Sequence, residues 1–495
     1  MAAFTSLVGL AGLSGCAGWP ARAPAGAVPA VPATAASSWQ QPVPAGPAVA
    51  AARWWAALGD PALDRLVEAA LADAPDARTA ALRLREARAR RDITASGAAP
   101  DLSASGRAAR SRGSGAAGGG RSSTVIDLGF DASWEADVWG RLEAATEGAD
   151  ADVAASAAGV EDLRLSLAAE VARVYTTLRS VQQREAVAAQ ALQRQADTLQ
   201  ITRWRAQAGL VAQTDVLQAE TSLAQTAAQQ AQLTASRASA QLQLERLLGR
   251  PPGALGEALA VPAGRGTGTG TSGSAAPASP AVWPQASPVL PALPAGGAVA
   301  QPADVLRQRP DVRQAEAQWR AESARARQAE AAQFPRLTLS GSLGLQALTL
   351  GTLGQGGYGS LAAAVAAPLV DGGALRAQLA AQVAVRDRAA LAYEQAMLTA
   401  LSEVEEALAS LDASRRQARA LQQAVATARQ TAELARVRYR SGLVDARTVI
   451  DAERSVLTLE DSLTSAQAAA LTAWIQWHKA LGVGALTDIP PGPAT

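Results

Sequence analysis

The chain has almost nothing with which to do chemistry. Among 495 residues there is one histidine, His478, one cysteine, Cys16, and one lysine, Lys479. A His/Cys metal site, an intrachain disulfide, and a Cys–His or Ser–His nucleophile needing more than one imidazole are thereby excluded. Aromatics are 4% against 48% hydrophobic residues. Much of the apolar content is alanine, which builds long helices more readily than a large aromatic core. Charge of either sign is also missing in excess: 45 Lys+Arg face 44 Asp+Glu, for a net charge of +1. Nucleic acid, which needs a basic face, is not an expected partner. No run reaches the ~18 to 20 apolar residues of a membrane-spanning helix. No cofactor, metal or enzymatic activity is expected. Length alone predicts several domains.

Proline is absent where it matters. Of 26 prolines, none lies between Pro100 and Pro251 or between Pro368 and Pro490. An interior proline costs a helix ~3 kcal/mol or more, so each tract is free to form very long helices. Residues 251–302 between them read as a Pro/Gly-rich linker with a low-complexity centre, 264–280. The tracts also resemble each other. Trp204-Arg205-Ala206-Gln207-Ala208-Gly209-Leu210-Val211 matches Val437-Arg438-Tyr439-Arg440-Ser441-Gly442-Leu443-Val444 at an offset of 233 residues. The same offset carries Leu217-Gln218-Ala219-Glu220 onto Ile450-Asp451-Ala452-Glu453, and Leu248-Gly249 onto Leu481-Gly482. This is an internal duplication in two copies, too few for a solenoid.

Each copy opens with strands. From Val125 to Val138 the even positions are apolar or small (Ile126, Leu128, Phe130, Ala132, Trp134, Ala136), while acidic and small polar residues fill the odd ones. Such alternation is a strand with one greasy face. Arg336 to Leu345 repeats the pattern; Leu102–Ala108 and Gly359–Leu369 are weaker versions. Glycine-rich turns join them as hairpins, about 101–138 and 336–370. Gly118-Gly119-Gly120 reads as a loop tip, not a phosphate loop. Long strands with one apolar face suggest a transmembrane barrel, whose minimum is about eight strands. Four cannot close one, so two, three or four chains would have to pool theirs.

The remainder reads as helix: hairpins over about 140–248 and 372–482, broken at Gly209 and Gly442, after shorter helices at about 61–98 and 304–334. Leu401, Val404, Leu408 and Leu411 have coiled-coil spacing. Glu403, Glu405 and Glu406 read as a charged helix face, and His478 as a packing or capping residue beside Trp477.

At the N-terminus, an apolar run ends in Leu13-Ser14-Gly15-Cys16. It reads as a secretory signal and resembles a bacterial lipobox, whose cysteine is acylated. Met1 to Ser6 has no Lys or Arg, which points to an earlier start. Ala17, not Asp, follows the cysteine, which favours the outer membrane. Acyl chains on Cys16, such as palmitate, contribute ~0.8 kcal/mol per buried CH2 to a lipid anchor. The expected order is a signal peptide 1–15, a tether 16–52, a first repeat 53–250, the linker 251–302, a second repeat 303–484 and a tail 485–495.

The segments Trp54-Trp55, Trp134-Glu135-Ala136-Asp137-Val138-Trp139-Gly140, Leu306-Arg307-Gln308-Arg309-Pro310-Asp311-Val312, Pro368-Leu369-Val370-Asp371-Gly372-Gly373 and Arg438-Tyr439-Arg440-Ser441-Gly442 carry a resemblance. The chain resembles the TolC-like outer-membrane factor family of efflux systems, in its lipid-anchored OprM/NodT branch. The resemblance implies an α+β membrane protein: a homotrimer whose 12-stranded β-barrel continues into a periplasmic tube of twelve helices, with an equatorial belt. It implies a passive channel of a tripartite multidrug-efflux system, partnered by a periplasmic adaptor and an inner-membrane transporter of the resistance-nodulation-division (RND) class. It places a periplasmic gate at Asp451 with Arg447 and Thr448; Thr214, Asp215 and Gln218 are the first-repeat counterparts. Three aspartates about a narrow axis would repel and favour cations, and Arg447, four residues earlier, could pair with Asp451. Gly209, Leu210, Val211, Gly442, Leu443 and Val444 become adaptor-contacting tips. Two alternatives stay open: a channel for type I protein secretion, and a periplasmic coiled-coil scaffold with a small non-membrane sheet.

Overall fold

The computed structural model describes residues 39–42, 51–112, 122–259, 290–294 and 301–482. The signal, the tether with Cys16 apart from 39–42 and 51–52, the stretch 264–280, Gly118 to Gly120 and the tail lie outside the described residues.

A kinked 3-10 segment, Ala51–Leu58, leads into α1 (Pro61–Asp73) and α2 (Pro75–Ser96). Strands β1 (Asp101–Arg112) and β2 (Ser122–Ala136) precede α3 (Arg141–Gln207) and α4 (Gln213–Leu247). After the short α5 (Gly256–Leu259), the second copy runs α6 (Pro302–Gln308), α7 (Pro310–Ala331), β3 (Arg336–Ala347), β4 (Gly357–Ala366), α8 (Ala374–Arg440) and α9 (Ala446–Ala480). The duplication is visible in helix length: α3 and α8 each have 67 residues, α4 and α9 each 35, α2 and α7 each 22. At 1.5 Å per residue the long pair spans about 100 Å.

Three expectations are corrected. The helices at about 61–98 and 304–334 are each two helices. Ala74 and Arg309, the residues before Pro75 and Pro310, sit in extended backbone (ψ 136° and 125°), and each proline starts the next helix. A residue before proline is pushed out of the helical region, while proline at a first helical position forfeits no bond. Strand β4 stops at Ala366, short of Leu369, ahead of Pro368. Finally, β2 stops at Ala136, short of Val138. The spaced residues Val404, Leu408 and Leu411 are buried in the core midway along the long helices, and Leu401 packs against the cluster of Tyr393, Met397 and Ala400.

The four strands form one antiparallel sheet in chain order. Its register puts Leu102, Ala132, Gly341 and Leu361 in one row and Ala104, Phe130, Leu343 and Gly359 in the next. One face is therefore apolar, and it is uncovered: Leu102, Phe130, Leu343, Leu361 and Val365 are each more than half exposed. The opposite face carries Asp127, Asp131 and Glu135. There Tyr358 lies over Gly344 and Gly129, its partners across two strands; a Cβ at Gly344 would come within 2.8 Å of the phenol.

An aspartate joins each hairpin to its long helix. The carboxylate of Asp137 accepts the Glu143 N–H (2.7 Å), and that of Asp371 accepts from Gly373 (2.9 Å) and Leu375 (2.8 Å). These bonds satisfy backbone donors that a helix start leaves free. Trp139 stacks on Phe334 at 5.0 Å beside this joint.

The main core lies midway along the long helices. Trp54, Trp55, Leu63, Tyr175, Leu244, Val404, Trp474 and Trp477 meet there. His478 is buried among these tryptophans, 3.9 Å from Trp474 and 4.7 Å from Trp477 between ring centres. Burial pushes its pKa down to about 4. Arg309 ties the belt together. It donates to the carbonyl of Ala480 (2.7 Å) and to Asp311 (2.6 Å) and Glu403 (2.6 Å). Glu403 is thus a structural partner, and Glu405 accepts the N–H groups of Gln40 and Gln41. Among the described residues, no helix is long and apolar enough to cross a membrane, and no cluster of three metal-ligating side chains occurs.

Candidate functional site

The end of the helical hairpins farthest from the sheet is built twice from the same turn. Gly209 and Gly442 adopt left-handed backbone, with φ of 70° and 75°. Behind them Leu210 N–H reaches Arg205 O and Leu443 N–H reaches Arg438 O, each at 2.9 Å; Gly209 and Gly442 in turn donate to Ala206 and Tyr439. This six-to-one, five-to-two pattern closes a helix and favours glycine at the left-handed position. The turn throws Leu210 and Leu443 into solvent, 73% and 75% exposed. Val211 and Val444 are half-buried against the hairpins. The six tip residues named from sequence are thus brought to one end of the molecule.

The two copies restart differently. Ala212 precedes α4 without a side-chain cap. Before α9, Asp445 accepts from the Thr448 backbone N–H (2.9 Å) and from its hydroxyl. Those bonds hold the Asp445 carboxyl below the usual carboxylate range. Thr448 therefore spends its hydroxyl on the cap. One helical turn on, Arg447 Nε lies 3.8 Å from Asp451 Oδ2, with side chains 70% and 63% exposed. A pair this open contributes ~0–1 kcal/mol, so it orients the two side chains more than it locks them. In the first copy Thr214 and Gln218 are exposed and Asp215 is half-buried.

The structure adds polar contacts above the tip that sequence reasoning missed. Glu453, 6% exposed, receives Arg436 Nε at 2.8 Å, and Arg436 also reaches Glu433 at 3.0 Å. The duplicate of this contact is Arg203 to Glu220 at 2.7 Å. Both residues of each pair are related by the 233-residue offset, which was the available signal. A cross-repeat clamp joins them: the Tyr439 hydroxyl meets Thr202 Oγ1 at 2.9 Å, and the Arg205 guanidinium lies 4.4 Å from the Tyr439 ring centre. Higher up, Arg184 grips Asp461 through two bonds of 2.6 and 3.0 Å, tying α3 to α9. These contacts hold a helical wall together and face no reacting group.

A sheet with an uncovered apolar face at one end of a long helical wall, and twin glycine turns at the other, is an arrangement shared with known proteins over most of the chain. The family model for the outer membrane efflux protein matches residues 66–250 and 302–483. The pyoverdine export outer membrane protein OpmQ of Pseudomonas putida is 30% identical over 463 residues, 92% of this chain and 93% of that protein. Nodulation protein T of Rhizobium leguminosarum is 29% identical, over 87% of this chain and 86% of its own length. Among solved structures, the outer-membrane channel OprN superposes with a TM-score of 0.82 at 31% identity, covering 92% of this chain and 98% of its own. The chain belongs to the outer membrane efflux protein family, and it is an outer-membrane efflux channel of the TolC-like α+β fold.

Proposed function

We propose that three copies form a passive conduit, lipid-anchored through Cys16, for small molecules leaving through an RND-type tripartite pump, with its gate at the α8–α9 tip. The observation that carries this reading is the uncovered apolar sheet continuous with helices about 100 Å long. Four strands cannot enclose a lumen. Edges β1 and β4 leave unpaired backbone groups that a lipid environment does not tolerate. Pairing β1 of one copy with β4 of the next removes every edge, and three copies give twelve strands. The energy comes from the inner-membrane partner; this chain supplies the path and the closure. Arg447, Thr448 and Asp451 would ring the axis, and the exposed tips Leu210 and Leu443 would meet the adaptor. OpmQ is named for pyoverdine export and SrpC of Pseudomonas putida for solvent efflux; those cargoes belong to those proteins.

The test is electron microscopy of particles extracted by detergent from the outer-membrane fraction. A threefold tube longer than ~100 Å is expected. A short or monomeric particle would refute the conduit.

A further inference from the structure

The apolar face of the sheet carries only two charged side chains, and both are arginines at the same end of one strand. By register, this face collects the even positions of β1 and β2 and the odd positions of β3 and β4. Along β1 it reads Leu102, Ala104, Gly106, Ala108, then Arg110 and Arg112. Every carboxylate of the sheet (Asp101, Asp127, Asp131, Glu135) points to the other face. Arg110 and Arg112 are exposed, and among the described residues neither meets a carboxylate. The sequence that follows, 113–121, contains no Asp or Glu, and β4, the strand a neighbouring copy would lay against β1, has no charged residue.

Position along the strand gives the pair its meaning. The end of β1 holding Arg112 is the end away from the helices, hence the outer end of a barrel. At ~3.3 Å per residue, Arg110 is ~26 Å along the strand from Leu102. A strand tilt of ~40° makes that ~20 Å of height, close to the far edge of an apolar band ~25 Å tall. Arginine is strongly disfavoured at the middle of such a band and tolerated at its edge. There the two arginines leave the same face of the strand at backbone positions ~7 Å apart. Each offers paired N–H donors matched to phosphate oxygens.

We propose that Arg110 and Arg112 dock the phosphate-bearing headgroup of an outer-leaflet glycolipid. The proposal rests on the barrel reading above. Because the side chains leave the lipid-facing side, level with the end of an apolar face, the phosphate arrives on a lipid and not from solution. A carboxylate-free face has nothing to repel it.

The experiment is native mass spectrometry of the purified full-length protein in detergent, with three probes: bisphosphorylated lipid A, dephosphorylated lipid A and inorganic phosphate. Wild type is expected to hold bisphosphorylated lipid A at least tenfold tighter than the dephosphorylated form. The double variant R110Q/R112Q should lose that difference, R107Q on the opposite face should keep it, and inorganic phosphate should not compete. Equal retention of the two lipids by wild type would overturn the proposal, and needs no variant to fold. Unchanged selectivity in R110Q/R112Q would also overturn it, as would displacement by inorganic phosphate, which would mean a soluble-anion site. Insertion of wild type into phosphatidylcholine vesicles is measured in parallel by conductance. Failure there sinks the barrel itself, whereas insertion without lipid A selectivity sinks only this assignment.

Discussion

The duplicated arginine–glutamate contact offers a controlled test of how burial sets the worth of an ion pair. Arg436–Glu453 and Arg203–Glu220 are the same contact in the two repeats, at 2.8 and 2.7 Å. Their side chains are 22% and 5% exposed in the second repeat, but 48% and 40% exposed in the first. Arg436→Ala would strand the Glu453 carboxylate, one of whose oxygens already lacks a partner. Removing one member of a buried pair costs ~3–5 kcal/mol, because the other charge stays out of water uncompensated. Arg203→Ala breaks a pair open to solvent, worth ~0–1 kcal/mol. The readout is hydrogen exchange near the tip, across α8 and α9 for the first variant and across α3 and α4 for the second, which reports local opening free energy. Protection should fall at least ~100-fold around Glu453 in Arg436→Ala, since each ~1.4 kcal/mol is tenfold, and less than ~10-fold around Glu220 in Arg203→Ala. The joint change Arg436→Met with Glu453→Leu should recover most of the loss, since it leaves no charge behind. Equal losses in the two repeats would refute the reasoning, and so would a double variant no better than Arg436→Ala.

Other expectations follow from the same geometry. Asp451→Ala should raise the closed-state leak of channels reconstituted in planar bilayers, and unchanged conductance would remove Asp451 from the gate. His478, held near a pKa of about 4 against an ordinary value of 6.5, stabilises the fold fully above pH 6.5. That contribution is lost as pH falls toward 4, because the unfolded chain takes up the proton first; the whole is worth ~3 kcal/mol. Melting temperature should therefore drop less between pH 7.5 and 4.5 in His478→Phe than in wild type, and identical drops would count against it. Cys16→Ala should abolish incorporation of labelled palmitate, while a labelled variant would place the anchor elsewhere.

Much of the architecture could be read from residues because single residues forbid alternatives over long distances. The proline-free tracts hold the 67- and 35-residue helices, and the alternation in Val125–Val138 is, as far as Ala136, β2 with its exposed apolar face. What misled was a feature of one residue's neighbourhood: helical periodicity runs through Ala74 and Arg309, yet the following prolines turn both into breaks. Asp137 and Asp371 were visible only as family signatures; their work as caps between strand and helix depends on which N–H groups face them.

The site was less legible than the fold for a reason the duplication exposes. A repeat fixes which residues recur, and so located the twin turns at Gly209 and Gly442. It does not fix what surrounds them. Glu220 and Glu453 are equivalent by sequence, but Glu453 alone is drawn inside, where Arg436 and the nearby Thr198 hydroxyl face it. Likewise Tyr439 corresponds to Ala206, so the clamp to Thr202 exists once and makes the second-repeat hairpin the one tied across to α3. Two copies of one hairpin thus end with unequal fastening. Near the tip the first repeat joins its two long helices by an exposed pair, Arg203–Glu220, and the second by a largely buried one, Arg436–Glu453. Parting α8 from α9 must therefore strand Glu453, whereas parting α3 from α4 breaks a contact that water already weakens; the Tyr439–Thr202 clamp lies between the repeats and resists movement of either hairpin past the other.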